Sequence, residues 1–316
     1  MRVLFWGTPE FATPPLRALI GEGFDVVGVV TQPDRPVGRS RSTRQASPVK
    51  RIALDEGIPV LQPERPRGDE FLAEVTRLDP DLSVVVAYGH ILPKAVIDLP
   101  RRGTVNIHAS LLPALRGAAP IQAAIRNGLA ETGVTIMRMV PALDAGPIIF
   151  QARTPIVEDE TLGELSLRLS ELGALTLIEA LSLMELGDTR EQPQDEQLAT
   201  YAPKIDRAAT WIDWTAPAVD VCRLIRSLDP KPGAVTTLRG TEVKLFGAKP
   251  ALHATTSPGQ IERIDHEGML VTCGEGAIRV TVAQPAGKRR LTPNEWAAGR
   301  GASVGDRFDV VQAAGA

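Results

Sequence analysis

The chain has 316 residues, 43% hydrophobic and 23% charged, with a net charge of −3. That length suggests about two domains, and the apolar fraction is ample for two buried cores. The slight acidity excludes a generic polyanion binder, so any contact with nucleic acid must come from a local basic patch.

Residues 2–6 read as a buried strand ending at Gly7. A helical pattern follows with Leu16, Leu19 and Ile20 on one face, then a second apolar strand over 26–30. Apolar runs at 82–87 and 104–107 repeat the theme. Continuous apolar strands alternating with helices indicate an α/β domain with a Rossmann-like, mostly parallel sheet covered on both faces. Runs 133–139 and 147–152 read as its last strands, an antiparallel pair, and 162–186 as a long closing helix. The polar stretch 188–206 reads as a linker. Beyond it, a helix near 219–228 leads into short alternating strands at 234–238, 242–248, 259–264, 269–272 and 276–283. These predict a small antiparallel β-barrel of OB-like type. The expected domains are therefore 1–187, catalytic, and 207–316, the barrel.

Residues 207–316 carry 14 basic and 11 acidic side chains, a net of +3. A small basic barrel behind an α/β domain suits a nucleic-acid-binding appendage. Cys222 and Cys273 sit in apolar surroundings without a close Cys or His partner. Neither a disulfide framework nor a metal site is expected, and a reducing compartment fits. The opening run MRVLFWG is too short for a signal-peptide core, and no stretch approaches the roughly 18 apolar residues of a membrane span. A cytoplasmic protein is expected, and nothing points to more than a monomer.

Asn106 and His108 lie two apart at the end of a predicted strand, so their side chains share a face. Carboxyl ends of strands in open parallel sheets are where ligands bind. Asp144 lies in a loop between two predicted strands. An amide, an imidazole and a carboxylate suit acyl transfer to an amine. Asn and His stabilise the oxyanion, and the carboxylate orients the His and relays the proton. No Ser or Cys beside a base is required. Gly7, Thr8 and Pro9 after the first strand suggest a nucleotide fold. Positions 9 and 12 are Pro and Ala, however, so the glycine fingerprint is absent and nucleotide cofactors are disfavoured.

The block NIHASLLPALRGAAPIQ (106–122) resembles the signature of the folate-dependent formyltransferase family. So do GTPEFA (7–12), TQPDRP (31–36), SPVK (47–50), VVVAYG (84–89), ILPKA (91–95), ETGVTIM (131–137) and LDAG (143–146). IDW (212–214) and QPAGK (284–288) extend the resemblance into the second domain. Within that family it is similar to the members that formylate methionyl initiator tRNA.

The resemblance implies 10-formyltetrahydrofolate as formyl donor and Asn106, His108 and Asp144 as the catalytic trio. It implies a folate site from Ser110, Leu111, Leu112 and Pro113, with a pterin wall from Ala87, Tyr88, Gly89, Ile91 and Leu92. Residues 31–51 hold six basic side chains against Asp34 and read as a mobile, phosphate-seeking loop. The resemblance makes Arg35, Arg39, Arg41 and Arg44 tRNA contacts, with Lys288, Arg289 and Arg290 as a second site. Arg116 and Gly117 are expected to shape the mouth of the active site. Val140, Pro147 and Lys231 depart from the family pattern. The alternative is a formyltransferase for a small amine, such as glycinamide ribonucleotide or an amino sugar nucleotide. The second domain and the basic loop weigh against it.

Overall fold

The computed structural model describes residues 1–37, 43–251 and 257–309. Contacts divide the chain into two units. The first comprises Met1–Pro120, Glu131–Pro155 and Ser166–Ala202, the second Ile121–Ala130, Ile156–Leu165 and Pro203–Ala316.

In chain order the elements are β1 (Arg2–Gly7), α1 (Thr13–Gly21), β2 (Asp25–Val30), β3 (Arg35–Val37), β4 (Thr43–Gln45) and α2 (Pro48–Asp55). There follow β5 (Val60–Leu61), α3 (Asp69–Leu78), β6 (Leu82–Val86), α4 (Lys94–Ile97), β7 (Thr104–His108) and α5 (Pro120–Arg126). The series ends with β8 (Glu131–Arg138), β9 (Ile148–Pro155) and α6 (Leu162–Leu186). Seven strands form one sheet in the order β5-β2-β1-β6-β7-β8-β9. The pairs from β5 to β7 are parallel, and β7–β8 and β8–β9 are antiparallel. The mostly parallel sheet with an antiparallel end is thus as its apolar runs predict.

Every residue of β6 and five of the six in β1 are buried, which is why these strands are apolar without alternation. After β1 the chain moves one way to β2 and β5, and β6 and β7 lie on the other side. The carboxyl ends of β1 and β6 therefore form a topological switch point, where such sheets bind ligands. α6 covers the face of β7 that carries Ile107. Gly173 lets it come close, since a Cβ there would stand 3.2 Å from Ile107 Cγ2. Asn106 and His108, one residue either side of Ile107, face the opposite way.

The segment read as a mobile loop instead contains a two-stranded hairpin, β3 with β4, in which Arg35 pairs with Gln45 and Pro36 with Arg44. Ser47 caps α2 by accepting from the Lys50 N–H at 3.0 Å, with Pro48 at the first helical position.

The second unit contains α7 (Ala218–Ser227), β10 (Ala234–Leu238), β11 (Thr241–Ala251), β12 (Ile261–Asp265), β13 (Gly268–Thr272), β14 (Ala277–Pro285) and α8 (Pro293–Ala298). Its antiparallel sheet runs β10-β11-β14-β13-β12. The two edges are joined by residues 305–309. Phe308 bridges Leu238 of β10, Arg307 bridges Gln260, and Ile261 exchanges bonds with Gly305 and Asp306. This closure removes the open edges, as a barrel requires. Inside, the Trp214 and Phe308 rings stack 5.2 Å apart, and Trp214 Nε1 donates to Thr236 Oγ1 at 2.9 Å.

Phe308 is fully buried and sits on the closing segment. Phe308→Ala is expected to destabilise the second unit by about 3–5 kcal/mol through the cavity it leaves. Denaturant unfolding followed by Trp fluorescence measures this, and a loss below about 1 kcal/mol would contradict the closure.

Candidate active site

β7 delivers the amide and the imidazole. Asn106 is half-buried, and among the described residues its side chain has no hydrogen-bond partner. His108 is buried, 5% exposed, and its Nε2 lies 2.9 Å from the Leu115 carbonyl oxygen. A carbonyl only accepts, so Nε2 carries the proton and Nδ1 presents a lone pair. Nδ1 lies 3.7 Å from Asp144 Oδ2. Imidazole and carboxylate thus come together, with Asn106 two residues back on the same strand.

Asp144 sits in the loop between β8 and β9 with φ 47°, a left-handed conformation that costs an L-residue about 1–2 kcal/mol. Its Oδ2 accepts the Gly117 N–H at 2.8 Å. Gly117 must be glycine. Its φ is 118°, and a Cβ would lie 2.7 Å from the Ala202 carbonyl oxygen. Burial holds the His108 imidazole below its ordinary value of 6.5. The Asp144 charge and the bond to Leu115 oppose that without reversing it. The resting histidine is therefore neutral.

The turn 110–113 follows directly. Ser110 is buried, and its Oγ donates to the Ala114 carbonyl at 2.6 Å. Thr135, opposite His108 on β8, donates to Ser110 O at 2.7 Å and accepts from Leu112 N–H at 3.1 Å. Gln151 on β9 donates to Leu112 O at 2.9 Å. Leu112 is buried, while Leu111 and Pro113 are half-buried. Ala87, Gly89 and Ile91 are exposed, and Tyr88 and Leu92 point into the core beside Trp6. Thr8 and Gln32 hold this strip from the β1 and β2 sides, both donating to the Tyr88 carbonyl, at 3.1 and 3.0 Å. Burial pushes the Tyr88 phenol up to about 12.

Arg116 differs from the expectation of a mouth residue. It is 2% exposed and grips Glu196 with two bonds of 2.9 Å. In the hairpin, Arg44 is exposed and Arg35 donates to Gln32 Oε1 at 2.5 Å. Lys50 is bound to Asp34 and Gln62, both at 2.7 Å, and that pairing holds the Asp34 carboxyl below its usual range. Arg39 and Arg41 lie outside the described residues. In the second unit Lys288 is exposed. Arg289 is bound to Glu295 at 2.8 Å, and Arg290 lies 3.8 Å over the Phe246 ring. Sequence reasoning missed Thr8, Gln32, Thr135, Gln151 and Gln194. Thr8, Gln32 and Thr135 lie inside quoted motifs, whereas Gln151 and Gln194 carried no signal. Among the described residues no three of His, Cys, Asp or Glu gather as metal ligands, and no helix is long and apolar enough to cross a membrane.

The family model "Formyl transferase" matches residues 1–181, and "Formyl transferase, C-terminal domain" matches 204–301. The chain belongs to the formyl transferase family. A methionyl-tRNA formyltransferase of Aromatoleum aromaticum is 46% identical over 98% of this chain and 98% of its own. That of Bacillus subtilis is 45% identical over the same shares. Among solved structures, HypX from Aquifex aeolicus in complex with tetrahydrofolic acid has a TM-score of 0.68 at 22% identity. It matches over 93% of this chain, which spans 46% of that protein. WlaRD, a sugar 3N-formyl transferase, has a TM-score of 0.67 at 17% identity, over 92% of this chain and 99% of its own. These two likenesses show the fold. The family works with folate, and the turn at 110–113 and the strip after β6 border the switch point where a ligand would sit.

His108 gives a stability prediction. The folded state holds it neutral below 6.5, while the unfolded chain takes up a proton there. The unfolded state then binds more protons, so stability falls as pH drops below that value. His108→Gln is expected to flatten the Tm–pH curve between about pH 7.5 and 5, measured by calorimetry. An unchanged slope would contradict the neutral buried imidazole.

Proposed function

We propose that this chain transfers the formyl group of 10-formyltetrahydrofolate to the α-amine of methionyl initiator tRNA, giving N-formylmethionyl-tRNA in the cytoplasm. The reaction class rests on His108 and Asp144 standing together beyond the carboxyl end of β7, with Asn106 on the same strand. The acceptor rests on 45–46% identity to methionyl-tRNA formyltransferases across both units. The second unit alone does not discriminate, because a sugar N-formyltransferase shares the fold over nearly its whole length.

The chemistry follows from the ring orientation. The neutral amine attacks the formyl carbon, and the carbonyl oxygen becomes an oxyanion. The uncommitted Asn106 amide is the donor placed to meet it. The adduct's nitrogen loses a proton to His108 Nδ1. The imidazolium so formed is flanked by the Leu115 carbonyl and the Asp144 carboxylate, which stabilise its charge in a buried site. Its Nδ1–H then donates the proton to N10 as the carbon–N10 bond breaks. Tetrahydrofolate leaves, and no covalent acyl-enzyme forms.

Ser110, Leu111, Leu112 and Pro113 form one wall of the folate site. The other is the main chain of Ala87, Tyr88, Gly89, Ile91 and Leu92. The peptide groups exposed around Ala87 and Gly89 suit a flat heterocycle read by backbone donors and acceptors. The hairpin arginines, with Arg39 and Arg41, and the 288–290 cluster of the second unit are the tRNA contacts. Within that cluster Lys288 is the phosphate contact, because Arg289 and Arg290 are engaged with Glu295 and Phe246.

The deciding assay supplies 10-formyltetrahydrofolate with charged initiator tRNA, and separately with glycinamide ribonucleotide or an amino sugar nucleotide. Formylation of the tRNA is expected. Success with a small amine alone would replace this reading with the alternative. Asn106→Ala is expected to lower kcat about 10²–10³-fold with tRNA affinity within about twofold. Lys288→Ala is expected to raise KM for tRNA and reduce its log–log salt slope by about one, with kcat unchanged. An unaltered slope would remove Lys288 from the interface.

A further inference from the structure

The stretch after α6 reads as a linker, yet residues 190–202 pack as a strap on the first unit. Gln192 exchanges two main-chain bonds of 2.8 Å with Ile148. Arg116 donates its N–H to Thr200 O and accepts from Ala202 N–H, both at 2.8 Å. Between these anchors lies Gln194. Its Oε1 accepts from Arg116 Nε and Nη2, at 3.0 and 2.8 Å. Its Nε2 donates to the carbonyls of Asp144 and Gly146, at 2.8 and 2.7 Å. One amide thus uses both of its ends, joining a buried guanidinium to the turn that carries Asp144.

We propose that Gln194 is a positioning residue for formyl transfer: through Arg116 and the main chain of Asp144 and Gly146, it sets the Asp144 carboxylate against His108. This rests on the reaction proposed above. The geometry is a closed loop. Gly117, next to Arg116, donates to the Asp144 carboxylate, and Gln194 ties the Arg116 side chain to the Asp144 carbonyl. The carboxylate is held from in front and its peptide from behind. Asp144 has a left-handed backbone, so the turn would relax without such restraint. Glu196 accepts from Arg116 Nη1 and Nη2, which fixes the guanidinium with its Nε edge turned to Gln194.

Two variants separate positioning from folding. Gln194→Glu keeps an acceptor for Arg116 but loses the amide donors and sets a charge against two carbonyl oxygens. Gln194→Ala removes both ends, while the main-chain anchors at Gln192, Thr200 and Ala202 keep the strap in place. Both variants are expected to lower kcat about 10–100-fold, as misplacement of a reacting group by about 1 Å does. KM for each substrate should stay within twofold and Tm nearly unchanged. Asp144 is the charged group acting on His108. Its drift in Gln194→Ala removes support for the imidazolium, so the acid limb of the kcat–pH profile moves to lower pH.

A second readout needs no turnover. The four histidines, labelled with ¹³C, are titrated by NMR, and His108 is assigned by its loss in His108→Gln. The His108 titration should also move down in Gln194→Ala. A kcat within twofold of the unaltered protein would overturn the proposal. So would a loss of activity that tracks a lowered Tm with both titrations unmoved. If the unaltered protein formylates nothing while the titration still shifts, the positioning stands and the reaction assignment falls.

Discussion

Leu115, Arg116 and Gly117 meet three different partners in succession. The Leu115 carbonyl takes the proton of His108 Nε2, the Arg116 guanidinium takes Gln194, and the Gly117 N–H takes Asp144. Histidine and aspartate come from different strands and loops. This tripeptide is the piece of chain that both touch, so its conformation sets the distance between them. The strap over 194–202 holds it by main-chain and side-chain bonds together. The site's order therefore depends on backbone geometry that the strap helps to hold.

The arrangement has an electrostatic consequence. A buried imidazole tends to stay neutral, and a carboxylate 3.7 Å away opposes that only in part. At rest the ring is a base. Once it has taken a proton, the same carboxylate stabilises the product. In the proposed reaction one fixed pair would serve proton acceptance and proton return, leaving Asn106 for the oxyanion. Low exposure strengthens each term relative to water.

The centre of the sheet was legible because strands such as β1 and β6 are buried on both faces and so appear as unbroken apolar runs. α6 was legible from its long apolar periodicity. β5, with two residues, and α8, with six, are too short to show a period. The hairpin of β3 and β4 was read as a mobile loop, since dense charge, Pro and Gly look alike in either state. The trio was legible through strand alternation and family resemblance. Gln194 was not, because its role lies in two contacts distant in sequence and its neighbours are polar. Arg116 was placed at the mouth because charge usually marks surface. Its burial follows from Gln194 and Glu196, which lie about eighty residues on. The departure at Pro147 is accommodated because the structure uses only its carbonyl, which accepts from Arg138 N–H at 2.9 Å. Val140 lies beside Gly146, whose missing side chain leaves room for the Arg138 carbonyl. Lys231 is exposed, and nothing in the structure explains its departure.

The protonation state of the His108 ring at neutral pH tests the account most directly. Long-range ¹⁵N–¹H correlation on histidine-labelled protein, with His108→Gln for assignment, reads which nitrogen is bare. A protonated Nε2 and an unprotonated Nδ1 are expected. An Nδ1–H tautomer would contradict this because Nε2 could not then donate to Leu115, and an imidazolium at pH 7 because the ring could not accept the amine's proton.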